Sequence, residues 1–244
     1  MMEKQKKGIF RYLTQSWSEE WKMTGLVIAL MFDTVIGYPL ASVISSSVAI
    51  RFINDLVISA VLSLGLFALT RHKITRLILG GIILIAISVR WVRYFFGAHW
   101  LLGWDILLSL VAVIAIVSFT MRYAYKEGPI ASQRIRAAVA AYLLITIAFA
   151  LGYMLISFLM PGAFGFPDKA PNIDDPRFGY IFHYFSISTI TTLGYGDIVP
   201  LHPFSRTLAT TEALVGQLFP AVLLARLVSL SVVDSQRSDK QKTI

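Results

Sequence analysis

The chain has no cysteine, so disulfides and thiolate metal sites are excluded. Charge is scarce as well. Only 15% of the 244 residues are Asp, Glu, Lys or Arg, against about 25% in ordinary soluble domains. Acids are scarcer than bases, 14 against 22, for a net charge of +8. The basic residues form no long run, so nucleic acid is not an expected partner. The four histidines, His72, His99, His183 and His202, lack metal-ligand spacing. With no nucleophile–base pair and no phosphate-cradling glycine loop, neither catalysis nor a cofactor is expected. The first 22 residues are polar and basic and lack a short apolar core with a cleavage site, so they do not read as a removable signal peptide.

What is abundant is apolar surface: 56% of residues are hydrophobic and the mean hydropathy is +0.68. A chain this apolar cannot hide so much surface within itself, and a bilayer is the expected solvent. A spanning helix needs about 20 apolar residues. Six stretches qualify: residues 23–45, 52–69, 74–95, 101–121, 137–160 and 204–233. The expected fold class is an all-α membrane protein, with six transmembrane helices and a short re-entrant helix leading into a short strand. The expected organisation is an N-terminal segment (1–22), a four-helix region (23–122), a linker (123–136), a two-helix domain (137–233) and a short tail (234–244).

Basic clusters set the orientation. Lys4, Lys6, Lys7, Arg11 and Lys22 precede the first span. Arg71, Lys73 and Arg76 follow the second, and Arg122, Lys126, Arg134 and Arg136 follow the fourth. Arg237, Lys240 and Lys242 follow the sixth. With six spans all four clusters fall on one side, the cytoplasm by the positive-inside rule. Both termini are then cytoplasmic in the plasma (cell inner) membrane, and Asp168, Asp174 and Asp175 face outward. Arg90 and Arg93 fit this count poorly, since it places them near the outer face. Trp17 and Trp21 are suited to anchoring the N-terminal segment on the inner surface.

Between the fifth and sixth spans, residues 161–167 and 174–176 have loop composition. Phe178–Ile190 is apolar but too short to span, and Thr191-Thr192-Leu193-Gly194-Tyr195-Gly196-Asp197 follows. Irregular backbone at membrane depth is tolerated only where it is buried in protein or lines a cavity. A dehydrated cation needs oxygen on all sides, and backbone carbonyls supply it without a buried full charge. Gly194 and Gly196, lacking Cβ, can turn alternate carbonyls toward one axis. Leu193 and Tyr195 then point away from it, and the Thr192 hydroxyl extends the oxygen row inward. One strand gives too few ligands, but four copies give about eight oxygens per site.

Residues 182–200 resemble the pore loop of potassium channels, and the spans at 137–160 and 204–233 resemble that family's outer and inner helices. The resemblance implies a homotetramer in a lipid bilayer, with K+ as permeant ion held at Thr192, Leu193, Gly194, Tyr195 and Gly196. It implies passive conduction through this carbonyl filter. Thr189 and Thr191 are candidate filter supports, or simply bond the end of the pore helix. Asp197 is a candidate for the outer mouth, for a structural bond behind the filter, or for both. Some members brace the filter with a carboxylate nine residues before this acid, where Ser188 stands here. Gly216 resembles the family's gating hinge, with Pro220 fixing a bend; close helix packing is the other reading of the glycine. Glu212 lies inside the sixth span, where a carboxylate faces the cavity, is protonated, or bonds behind the filter. Arg226, near the inner end, is expected to snorkel.

The first four spans occupy the place of a voltage sensor but are poor in arginine. The fourth carries none, and only Arg90 and Arg93 stand three apart. Asp33, Asp55 and Asp105 are available to pair with Arg51, Arg90 or Arg93. A charge-balanced bundle without strong voltage sensing is therefore expected. The other function classes are a non-selective cation channel and a modulatory or transporter subunit.

Overall fold

The computed structural model describes residues 23–44, 47–69, 73–125, 132–167, 171–173, 175 and 177–242. The N-terminal segment with Trp17 and Trp21, the centre of the linker, and Asp168 and Asp174 lie outside the described residues. Among those described, the structure is almost wholly helical. Five helices are long and apolar enough to cross a membrane: α3 (Ser47–Leu69), α4 (Lys73–Phe96), α5 (Leu102–Ala124), α6 (Ser132–Leu159) and α8 (Pro203–Lys242).

The first expected span departs from a simple helix. α1 (Met23–Gly37) is apolar but ends in a π-helical turn over Asp33–Gly37, and α2 (Tyr38–Val43) continues from it. Pro39 stands in the first turn of α2, where its missing N–H is cheapest. A π turn widens the helix locally and re-aims its side chains, and here it leaves Gly37 against the ring of Tyr180. Met23, at the other end, packs with Ala124, Ala137 and Phe219.

Other boundaries also move. α3 starts at Ser47 rather than 52, and α6 starts at Ser132 rather than 137. α8 continues through the expected tail to Lys242, because residues 234–242 contain no glycine or proline to stop it. α6 ends where Pro161 cannot continue it and Gly162 takes φ +86°. α7 (Phe178–Ile190) is the expected short helix. Two strands of two residues each, β1 (Phe164–Gly165) and β2 (Val199–Pro200), pair antiparallel. The Ala163 carbonyl, just before β1, accepts from Leu201 N, His202 N and the Ser205 hydroxyl. This pins the chain on both sides of α7 and its following segment.

The main core joins α1, α3, α4, α5 and α6 through residues such as Leu30, Leu62, Ile83, Val113 and Leu144. Ala137, Ala138, Ala140 and Ala141 are fully buried, and their small size lets neighbouring helices approach α6 closely. A second core, rich in aromatics (Tyr153, Phe164, Phe178, Phe182, Phe185), wedges α7 against α6 and β1. Half of the α6 span is buried within the chain but only 17% of the α8 span. α8 therefore presents apolar side chains to whatever surrounds a single copy, and Leu214, Leu218 and Val222 are among them.

Candidate functional site

α7 ends at Ile190, and its last carbonyls would otherwise lack donors. The following chain supplies them. Thr191 N donates to Ile187 O at 3.1 Å, Thr192 N to Thr189 O at 3.0 Å, and Leu193 N and Gly194 N to Ser188 O at 2.9 and 3.2 Å. The amides of residues 191–194 are thus turned back onto the helix. Among the described residues, the carbonyls of residues 192–196 accept no hydrogen bond.

The backbone of this segment is unusual. φ is +58° at Thr192, +57° at Gly194 and +79° at Gly196, while φ at Leu193 and Tyr195 between them is not positive. Alternating hand turns successive carbonyls to the same side, whereas an ordinary strand alternates them. Glycine takes positive φ at no steric cost. A β-branched residue there is an outlier, and such strain concentrates at functional positions.

Side chains hold the segment from behind. Thr189 and Thr191 bond back to the carbonyls of Phe185 and Ile187 at 2.8 and 2.6 Å, so both tie down the end of α7. The Thr192 hydroxyl donates to Thr191 O at 2.7 Å and accepts from Gln217 Nε2 at 3.2 Å. Asp197 Oδ2 accepts from the Tyr184 hydroxyl at 2.8 Å, and Oδ1 accepts from Ile198 N at 3.0 Å. The Tyr195 ring stacks on Tyr184 at 6.2 Å and 9°. The place of a bracing carboxylate at Ser188 is thus filled by Tyr184, one helical turn earlier. Leu193 and Tyr195 are 56% and 66% exposed in a single chain. Apart from the Tyr184 stack, the two side chains are largely open in the single chain.

α8 passes close behind. A Cβ on Gly216 would lie 2.0 Å from the Ile190 carbonyl oxygen, so the glycine permits direct contact between α8 and the end of α7. This is the packing role. Pro220 lies inside α8 without ending it, and its missing N–H leaves the Gly216 carbonyl, four residues earlier, without its helical donor. Glu212 is fully buried. Its Oε2 accepts from the Tyr153 hydroxyl at 2.5 Å and its Oε1 contacts the Ser186 hydroxyl, which also lies 2.8 Å from Thr146 O. The carboxyl faces α6 and α7 rather than open space. Arg226 does more than snorkel: Nη2 donates to the Tyr125 carbonyl at the end of α5, and the guanidinium sits 4.8 Å from that residue's ring centre.

The front half carries a buried charge cluster. Arg90 and Arg93 from α4 meet Asp55 from α3 and Asp105 from α5 at 2.9–3.6 Å. Ser109 accepts a further bond from Arg90 at 2.9 Å. Asp33 pairs instead with His183 of α7, 3.6 Å away. The sequence pattern put Arg90 and Arg93 at an awkward depth, and the two buried acids explain how they are tolerated there. Tyr153, Tyr184, Ser186 and Gln217 escaped sequence analysis, because their partners are 13 to 59 positions away in the chain. Only the Tyr184–Asp197 spacing, across a short helix and its turn, offered a local signal.

Residues 142–232, from within α6 to within α8, match the family described as Ion channel. An 81-residue stretch is 36% identical to the inward rectifier potassium channel Kirbac3.1 of Paramagnetospirillum magnetotacticum, covering 33% of this chain and 24% of that one. A 113-residue stretch is 33% identical to two-pore potassium channel 5 of Arabidopsis thaliana, covering 46% of this chain and 25% of that one. Residues 142–232 are thus similar to ion channels, with potassium channels among the similar proteins. Protein LctB of Bacillus caldotenax is also similar, 28% identical over 126 residues, half of this chain and 92% of that one. The alignments span about a quarter of the length of the first two potassium-channel relatives. No solved structure matches the chain. The matched region contains α7, the 191–197 segment and most of α8, and with them Tyr153, Tyr184, Glu212, Gly216 and Gln217.

Proposed function

We propose that the chain is one subunit of a homotetrameric, potassium-selective channel that conducts K+ passively through the carbonyls of residues 192–196. The observation that carries this reading is the positive φ at every second residue, Thr192, Gly194 and Gly196, together with carbonyls that find no partner among the described residues. Four such strands around an axis replace the hydration shell of a cation with backbone oxygen. The exposure of Leu193, Tyr195 and one face of α8 in a single copy fits burial against neighbouring copies.

The proposed topology has six spans with both termini cytoplasmic, in the plasma (cell inner) membrane. It is supported by α1, which reaches from the level of Phe219 to that of Tyr180 and His183. Voltage dependence is proposed to be shallow. A charge crossing the full field contributes about 2.3 kcal/mol per 100 mV, and Arg90 and Arg93 are held between two buried acids.

The test is the reversal potential of the purified protein in liposomes under opposed potassium and sodium gradients. A value near the potassium equilibrium potential is expected. A value midway between the two would make it a non-selective cation channel, and no flux under any condition would make it a modulatory subunit.

A further inference from the structure

Three oxygen–oxygen contacts meet around Glu212: Tyr153 hydroxyl to Oε2, Ser186 hydroxyl to Oε1, and Ser186 hydroxyl to the Thr146 carbonyl. Each is at hydrogen-bonding distance, and each needs one hydrogen between its oxygens. The tyrosine and serine hydroxyls bring one each, and an ionised carboxylate and a carbonyl bring none. Two hydrogens cannot fill three contacts. With an ionised Glu212 the serine proton points to the carboxylate, and Ser186 then faces the Thr146 carbonyl at 2.8 Å, lone pair to lone pair. One more proton on the carboxyl completes the set: Glu212 donates to Ser186, Ser186 to Thr146 O, and Tyr153 to the remaining carboxyl oxygen. Among the described residues no cationic side chain pairs with Glu212, so nothing there compensates a negative charge. Tyr153, whose hydroxyl donates to Oε2, and Tyr142 of α6 are the titratable groups facing it.

We infer that Glu212 is a positioning residue that works as an un-ionised carboxylic acid, clamping α8 to α7 and α6 behind the 192–196 segment. Gly216 touches Ile190 one turn further along both helices, so the clamp and the close contact fix α8 against α7 at two successive turns. The effect on the filter rests on the function proposed above; the protonation state does not.

The spectroscopic test needs no ion flux. Glu212 is the only glutamate within an apolar span, since Glu3, Glu19, Glu20 and Glu127 lie in hydrophilic stretches of the sequence. At neutral pH the infrared spectrum of the reconstituted protein should show a protonated-carboxyl carbonyl band that shifts when glutamate carries carbon-13, and that is lost in Glu212→Gln. A spectrum without a glutamate-dependent band of this kind overturns the inference, and the labelled parent protein decides it even if the variant fails to fold. In flux measurements, Glu212→Ala should lose selective conduction and Glu212→Gln should restore it, because the amide keeps one donor for Ser186 and one acceptor for Tyr153. A folded Glu212→Gln that fails as Glu212→Ala does would mean the charge is needed, and the neutral clamp would be rejected. If the protein proves non-selective while the band is present, the proposed function fails and the clamp stands.

Discussion

At the scale of single residues, the segment after α7 is governed by which positions carry a Cβ. Gly196 sits at φ +79° with open space around it, so a methyl group meets no clash within the chain, and the penalty is purely one of backbone conformation. For a non-glycine residue that penalty is about 1–2 kcal/mol, and it applies to each copy in an assembly. Gly196→Ala is expected to relax toward negative φ, turn its carbonyl away and abolish potassium selectivity or conduction. Reversal potentials of the variant in liposomes check this; currents and ion preference equal to the parent's would remove the filter from residues 192–196. Gly216 obeys a different constraint. Its φ is not left-handed, but a Cβ there would run into the Ile190 backbone. Overpacking of this kind costs about 1–3 kcal/mol, so Gly216→Ala should lower the midpoint of thermal unfolding in detergent as well as the flux. A residue acting only as a hinge would change gating and leave the unfolding midpoint where it was.

At the scale of elements, α7 is held from three sides: by the aromatic core with α6 and β1, by Glu212 and Gly216 of α8, and by the Asp33–His183 pair from α1. The front-half helices are joined differently, by charge. Arg90 and Arg93 meet Asp55 and Asp105 where little water reaches, as Asp55 is fully buried and Arg90 is 3% exposed. Burying such groups is expensive, so the pairs add little net stability, yet removing one partner strands the other. That loss is typically about 3–5 kcal/mol. Asp105→Ala should therefore lower the unfolding midpoint strongly. Replacing Arg90 and Asp105 together by leucine should cost less than the sum of the two single changes. Strict additivity would mean that the two side chains do not interact.

At the scale of the whole molecule, a single copy leaves the residues that define its site facing outward. α8 is the least covered of the five long helices, and the 191–197 segment is exposed along its length. Native mass spectrometry of the protein released from detergent should give four copies. Tags placed at the two ends of the chain should be digested by protease from the same side of a sealed vesicle, as an even number of crossings requires. Tags protected on opposite sides would mean that α1 with its π turn does not cross, leaving five spans.

Much of this was legible in the chain itself. Runs of apolar residues long enough for a bilayer, the short apolar stretch that became α7, and the Gly194-Tyr195-Gly196 string with flanking threonine and aspartate are local patterns, and local patterns survive in sequence. The π turn over Asp33–Gly37 did not show, because no local residue pattern marks the place where a helix widens. The pairing of β1 with β2 was invisible because two-residue strands carry no periodicity. The bonds of Glu212, Tyr184 and Gln217 were hidden for a further reason: each joins residues that only packing brings together. Composition determined that the chain lives in a membrane, and the glycine spacing determined where its carbonyls turn. Tertiary structure alone decided which side chains hold that strand in place, since a buried hydrogen bond is specified by position in space and not by distance along the chain.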